Sequence, residues 1–343
     1  MTATLDTVRA ARSLRHRRRA RGLAVMAGLI LAGFALTLSL GQSLTPPGDV
    51  LRVLMGQDVP GASFTVGQLR LPRAVLSILA GLCFGMGGAA FQVMLRNPLA
   101  SPDIIGITWG ASAAAVLAIV VLGMTGPGVA VLAVAAGLGV ALAIYGLAWR
   151  GGVAGTRLIL IGIGTAAMLQ SVVAYALARA PAWDLQQAMR WLTGSVNGAQ
   201  LSQAAPLALT LALAGGVLLA RARDLETLRM GDDTAAALGV RVGPTRVAVT
   251  LAAVGLIAVA TAFTGPIAFV AFLSGPIAAR VMGRTGSILL PAGLVGALLV
   301  LAGDYCGQFL MPGRYPVGVV TGALGAPYLI YLIIRVNRSG GSL

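Results

Sequence analysis

Charged side chains are scarce in this chain of 343 residues: they make up 10% of it, whereas soluble domains carry about 25%. Hydrophobic residues account for 57% of the chain, and long apolar runs recur along it. Runs of about twenty residues can cross a hydrocarbon core of about 30 Å as α-helices. The runs are continuous and do not alternate apolar with polar residues, which excludes a β-barrel. The sequence therefore predicts an all-α, polytopic membrane protein.

Lysine is absent, since all 25 basic residues are arginines. A phosphate-binding loop of the G-x-x-x-x-G-K type requires a lysine, so this chain cannot hydrolyse ATP by that route. Carboxylates are also absent from the interior of the predicted membrane spans, and Asp304, near the end of one span, comes closest. Ion-coupled carriers usually need ionisable groups within the membrane. If the protein pumps a solute, we therefore expect another subunit to supply the energy.

Residues that bind metals or act as nucleophiles are equally few. His16 is the only histidine and lies in an arginine-rich stretch, and the two cysteines, Cys83 and Cys306, lie in or beside apolar segments. They indicate neither a disulfide framework nor a metal site. No nucleophile and base are recognisable as a set, which disfavours a membrane-bound enzyme.

Ten membrane spans are predicted, near 23–43, 72–94, 103–123, 128–149, 157–178, 202–221, 245–263, 267–283, 288–305 and 316–335. An even number places both termini on one side, and nineteen of the 25 arginines fall on that side. The excess of arginine indicates the cytoplasm. The net charge of +15 then follows from topology, and no nucleic acid partner is expected. We predict one transmembrane domain, 1–343, with a cytoplasmic arginine-rich tail, 1–22, and a cytoplasmic loop, 222–244.

The stretch RNPLASPDIIG, residues 96–106, interrupts the apolar pattern after the second span. Pro98 stops a helix by removing a hydrogen-bond donor, and Ser101-Pro102-Asp103 has the composition of a helix start. The stretch is predicted to form a tight turn on the cytoplasmic side. It is either an ordinary turn or irregular backbone that lines a water-filled path.

The long loop 221–246 contains a second polar signal. Asp232-Asp233-Thr234 suits a helix start, the following alanines favour helix, and Gly239 suits a helix end. This pattern predicts a short surface helix that exposes Leu238. Such a helix is either part of a solvated linker or a docking site for a soluble partner.

Two further features have alternative readings. On the outer side, Arg70, Arg73 and Arg314 lie at span ends, where they either anchor the interface or attract an acidic external protein. The glycine-rich patches 81–90 and 161–167 either let helices pack closely or also line a wide path.

Taken together, these segments resemble the iron–siderophore permease family of ABC importers, which includes the vitamin B12 permeases. Six stretches match in order: RLPRAVLSILAGLCFGMGGAAFQVMLRNPLASPDIIG, RLILIGIG, WLTGSVNG, LRMGDDTAAALGV, GPIAF and YPVGVVTGALGAPYLIYLI. RNPLASPD, LILIGIGTAAML and MGDDTAAALGV are most similar to the ferric-enterobactin permeases of that family. The chain departs from the family in its eighth span, where Gly275-Pro276 stands in place of a common Pro-His pair.

The resemblance implies roles for particular residues. It places the helix that couples to the ATPase at Gly231, Asp232, Asp233, Ala237, Leu238 and Gly239. It implies contacts with an extracytoplasmic binding protein at Arg70, Arg73 and Arg314. It implies an inner gate formed by Asn97, Leu99, Gly155 and Thr156.

The resemblance also implies a function and an assembly. The chain would be a permease subunit, itself no enzyme and without a cofactor, in the cytoplasmic membrane of a bacterium. It would import a ferric siderophore, of the catecholate type, by alternating access. Its partners would be a second, different permease chain in preference to a copy of itself, two ATPase subunits and the binding protein. The alternatives are a vitamin B12 or haem importer of the same fold, and an ion-coupled carrier or a channel.

Overall fold

The structure, a computed structural model, describes residues 2–101, 106–148, 155–283 and 286–338. Helices dominate the described part, which contains no β-strand. The α-helices are, in chain order, α1 (Thr2–Ser39), α2 (Pro47–Leu54), α3 (Leu71–Met94), α4 (Ile107–Val120), α5 (Pro127–Ala148), α6 (Gly155–Ala178), α7 (Ala182–Leu192), α8 (Ala204–Thr210), α9 (Gly216–Ala220), α10 (Ala222–Leu228), α11 (Asp232–Ala237), α12 (Val242–Thr264), α13 (Val270–Met282), α14 (Leu289–Phe309) and α15 (Val317–Arg338). Ser63–Arg70 and Leu211–Gly215 are π-helical, and Leu201–Gln203 is a 3₁₀ turn.

Each of the ten predicted spans coincides with a helical segment of the described chain. Seven segments are long and apolar enough to cross a membrane, including the composite run Leu201–Ala220. The remaining three, in α4, α13 and α15, have shorter apolar stretches. With 14 and 13 residues, α4 and α13 each cover only about 20 Å at 1.5 Å per residue. Non-helical backbone precedes both helices, and backbone at such depth must be enclosed by protein or water.

Several predicted boundaries were wrong. α1 begins at Thr2, so the arginine-rich stretch continues the first membrane helix; arginine favours helix, and its charge does not end one. The second span begins at Ser63, because the π-helical segment Ser63–Arg70 runs directly into α3. Proline is tolerated in the first turn of a helix, so Pro72 does not mark a break. The prediction also missed α2 and α7, two short helices between spans.

α3 lies at the centre of the subunit, in contact with α12, α13 and α14. In its span 78% of the most apolar stretch is buried, against 22% for α6. The close contacts of α3 depend on glycine: a Cβ atom at Gly85 would overlap the carbonyl oxygen of Ala292 in α14, and one at Gly88 would overlap that of Ala271 in α13. The patch 81–90 is thus a helix-packing surface within this chain. In the second patch, by contrast, Gly164 faces open space.

The contact between α3 and α13 also explains why glycine at position 275 accompanies proline at position 276. Pro276 has no N–H group, so it cannot donate to the carbonyl oxygen of Phe272 four residues earlier. The buried Gln92 of α3 fills that place, and its Nε2 donates to the oxygen at 2.9 Å. A Cβ atom at Gly275 would overlap Oε1 of Gln92. Glycine at 275 therefore makes room for the amide that satisfies the carbonyl freed by proline at 276.

Candidate functional site

The polar residues predicted to be functional occupy two opposite faces of the molecule. One face carries residues 96–101 and α11, and it is called the terminal face because the arginine-rich start of α1 also lies on it. On it, Arg96 follows α3 in the left-handed conformation, with φ of 53°, and turns the chain. The Asn97 side-chain oxygen accepts a hydrogen bond from the backbone N–H of Leu99 at 2.8 Å, and the Asn97 N–H donates to the carbonyl of Gln92 at 3.0 Å. The predicted tight turn is therefore present, and Asn97 shapes it.

The rest of the predicted gate is described only in part. The side chain of Leu99 is half-buried, and Ser101 is buried. Pro102 and Asp103, the predicted helix start, lie outside the described residues, and α4 begins later, at Ile107. Gly155 and Thr156 are the first residues of α6, and their side chains likewise lie outside the described part.

The predicted surface helix of the loop 222–244 corresponds to α11, which α10 precedes. Leu225 and Leu228 of α10 are each only 1% exposed and anchor the loop in the core. Leu238, directly after α11, is 64% exposed, and Met230, just before it, is 66% exposed. Gly231, with φ of 113°, begins the helix, so Asp232 lies inside its first turn. The loop thus presents exposed apolar side chains at both ends of a helix that is fixed to the core.

α11 is tied to the turn 96–101 by charge. An oxygen of the Asp232 carboxylate accepts a hydrogen bond from Arg96 at 2.6 Å and another from Arg246, near the start of α12, at 2.9 Å. No local sequence pattern indicates this contact, because Asp232 and Arg96 are 136 residues apart. The structure thereby brings two of the predicted sites, the turn and the surface helix, into direct contact.

On the opposite face, Arg70 is a structural residue. Its guanidinium is buried and donates to the backbone oxygens of Leu38 and Ser43, each at 2.8 Å, and also to Ser39 and Thr45. These bonds fold the segment that follows α1 back against the second span. The guanidinium therefore binds oxygens within the chain.

Arg73 is also engaged, in an ion pair across the subunit. Its Nε and Nη2 donate to the two carboxylate oxygens of Asp304 in α14, at 2.6 and 2.7 Å. The Asp304 side chain is 2% exposed and also accepts a bond from Gln308. Nη1 of Arg73 reaches Asn197 at 3.0 Å. The one carboxylate that sequence analysis placed near a span interior is thus neutralised by a cation.

Arg314 differs from both. It is exposed and forms no ion pair within the described ranges. It lines an open cavity of about 530 Å³ together with Arg70, Arg73, Asn197 and Tyr315. The cavity wall combines polar and apolar surface and carries a cation that is free to bind. This arrangement suits a carboxylate that approaches from outside the chain.

The arrangement of helices and the two faces can be compared with known proteins. The FecCD transport family matches residues 29–335. The chain belongs to this family. Its membership confirms the resemblance inferred from the motifs and makes the chain a multi-pass transport permease.

Relatives in the family are similar over nearly their whole length. The ferric enterobactin transport system permease protein FepG of Escherichia coli is 40% identical, over 92% of this chain and 96% of its own length. The achromobactin permease CbrC of Dickeya dadantii is 41% identical, over 90% and 89%. The ferric enterobactin permease FepD of Escherichia coli is 34% identical, over 91% and 94%.

The fold is confirmed by a solved structure of a metal-chelate type ABC transporter in an inward-facing conformation. That structure matches 91% of this chain and 98% of its own with a TM-score of 0.81 and 26% sequence identity. The all-helical permease fold predicted from the sequence is therefore correct.

Proposed function

We propose that this chain is a transmembrane permease subunit of an ATP-driven importer for ferric siderophores of the catecholate class. The relatives named for ferric enterobactin support the substrate class. The observation that carries the mechanism is the anchored loop of α10 and α11, which Asp232 ties to Arg96 at the start of the turn 96–101. The chain has no lysine for a phosphate-binding loop, so two partner ATPase subunits would hydrolyse the ATP.

The loop is the proposed contact with an ATPase subunit. Exposed Met230 and Leu238 flank α11, and Ala237 between them is also exposed. A contiguous exposed apolar patch with a polar rim is typical of a protein interface. Gly231, Asp232, Asp233 and Gly239 bound or begin the helix. The bonds of Asp232 would pass on the movement that ATP binding produces.

The orientation that fits this contact places both termini in the cytoplasm of a bacterium. The described arginines between residues 13 and 21 lie on the terminal face, mostly exposed, next to the first span. An excess of arginine next to membrane spans is typical of the cytoplasmic side. On this face Asn97 and Leu99 would form the inner gate with Gly155 and Thr156.

A second permease subunit would pack against α6. Gln170 is exposed near the middle of this span, on the same helix as Gly164. A polar side chain at that depth is unfavourable in lipid, so it faces another protein chain or a water-filled path. FepG and FepD are two different permease proteins named for one transport system. We therefore propose a heterodimer, with the path between its two chains.

The cavity on the opposite face would receive the extracytoplasmic binding protein. Arg314 would bind an acidic side chain of that protein, and Arg73, whose exposed Nη1 lines the same cavity, would lie beside it. Arg70 would contribute indirectly by holding the cavity wall in place.

The coupling role of the loop is tested by replacing Leu238 with arginine in the assembled importer. A buried charge at the ATPase contact should abolish ATP-dependent uptake of a labelled ferric catecholate into vesicles, while the permease still inserts. Leu14→Arg is the matched control, because Leu14 is 65% exposed and lies outside the loop. Normal uptake by the Leu238 variant would contradict the proposal. Cobalamin and haem should not compete for uptake; import of either in place of the catecholate would contradict the substrate class.

The external contact is tested by Arg314→Glu. The variant should lose most of the stimulation of ATP hydrolysis by the binding protein, because like charges would then oppose each other. Arg190→Glu is the control, since Arg190 is exposed in α7 and does not line the cavity. Equal stimulation in both variants would exclude Arg314 from the contact.

A further inference from the structure

We propose that Arg96 and Asp232 are positioning residues, whose ion pair transmits the movement of α11 to the turn 96–101. The inference rests on the proposed function only in taking α11 as the part that an ATPase subunit moves. The pair itself is a feature of this chain.

The geometry of the pair suits a link more than a structural anchor. Both side chains are about two-fifths exposed, at 42% and 40%, so the pair is not enclosed in the core. The short N–O distance of 2.6 Å shows a direct, charge-assisted hydrogen bond. The pair joins elements that are far apart in sequence. The pairs Arg221–Asp224 and Arg229–Glu226, in contrast, each join residues three apart in the same segment.

Arg246 completes the link. Its guanidinium is less exposed, at 16%, and donates to the same oxygen of Asp232. One carboxylate thus holds the start of α11 to the turn that follows α3 and to the N-terminal part of α12. A shift of α11 must either break these bonds or move Arg96.

The turn can respond as a unit. Arg96 is held at a positive φ, and the next residue donates its N–H to Gln92 while its side chain binds the N–H of Leu99. Gln92 in turn bonds to Phe272 of α13. The polar contacts are continuous from the surface loop to a helix in the centre of the subunit, so displacement of Arg96 would shift Leu99 and the end of α3 together.

Arg96→Gln removes the charge and leaves a shorter, uncharged polar side chain. In the assembled importer we expect uptake of ferric catecholate to fall about fivefold or more, with ATP hydrolysis changed less than about twofold. Arg96→Lys should restore part of the uptake. The double variant Arg96→Gln with Asp232→Asn should lose no more than the larger single loss, because both act through one interaction. Arg52→Gln, which breaks the pair with Asp49 within α2, outside both the loop and the cavity lining, should leave uptake unchanged.

Proportional loss of uptake and ATP hydrolysis would overturn the inference, because it would indicate a damaged ATPase contact. Additive losses in the double variant, or normal uptake by Arg96→Gln, would also overturn it. A second measurement does not depend on transport. In the purified permease pair, Arg96→Gln should accelerate hydrogen exchange at the amides of Leu99 and Ala100, and Arg52→Gln should not. If the unaltered importer does not transport ferric catecholate, the proposed function is wrong. If hydrogen exchange is unchanged in Arg96→Gln, the proposed role of the Arg96–Asp232 ion pair is wrong, whatever the transport result.

Discussion

Replacing Gln92 by leucine should destabilise the protein only as long as residue 276 is proline. In the native chain the Gln92 amide is the donor that satisfies the buried carbonyl of Phe272. Leucine has a similar volume, so its main effect is to leave that carbonyl without a partner. Pro276→Ala supplies a backbone N–H four residues after Phe272, where an α-helix places the donor for that oxygen.

The expected magnitude follows from this one hydrogen bond. Leaving a buried polar group without a partner costs about 1–3 kcal/mol. Gln92→Leu should therefore lower the free energy of unfolding by about 1–3 kcal/mol. In the Pro276→Ala background the helix itself satisfies the carbonyl, so most of that loss should disappear. The double-mutant cycle should give a coupling energy of about 1–2 kcal/mol.

The assay is reversible unfolding of the purified chain in mixed micelles with increasing dodecyl sulfate, for the native protein, both single variants and the double variant. Gln170→Leu is the control, because it makes the same substitution at an exposed position of α6. It should change stability little. Additive destabilisation by Gln92→Leu and Pro276→Ala would refute the reasoning, since it would show that the amide does not replace the missing N–H.

Three further predictions concern packing and buried charge. Gly85→Leu should force α3 and α14 apart and sharply lower the yield of folded protein, whereas Gly164→Leu, beside open space, should not. Arg73→Gln leaves the carboxylate of Asp304 buried without a cation and should cost about 3–5 kcal/mol of unfolding free energy, part of which Asp304→Asn should restore in the double variant. Arg70→Gln should expose the segment after α1 to limited proteolysis, because several of its backbone oxygens lose their donor.

The spans could be predicted because their signal is local. The length of an apolar run shows directly whether it can cross the membrane, and each of the ten predicted runs is a helical segment in the structure. α11 was predictable for the same reason, since Gly231, the two aspartates and Gly239 bound it within nine residues of sequence. The start of α1 was not, because its arginines indicate where the membrane ends and say little about where the helix ends.

The sequence does not reveal which residues a charged side chain binds. Arg70 and Arg73 lie three residues apart, and the sequence predicts the same role for both, as cations at the outer end of a span. The first binds backbone oxygens about thirty residues away, and the second binds a carboxylate 231 residues away. Such contacts depend on which helices meet, and no local pattern encodes them. The same holds for Arg96 and Asp232.

The bonds that each arginine already makes within the chain affect how readily it would bind a carboxylate of an external protein. A guanidinium that already binds buried oxygens would have to give up those bonds before it bound a new carboxylate, and the abandoned groups would remain unsatisfied. Arg70 would lose bonds to four residues, and Arg73 would leave Asp304 charged and buried. Arg314 loses nothing of this kind. The free energy of docking should therefore depend most on Arg314, although all three arginines line the same cavity.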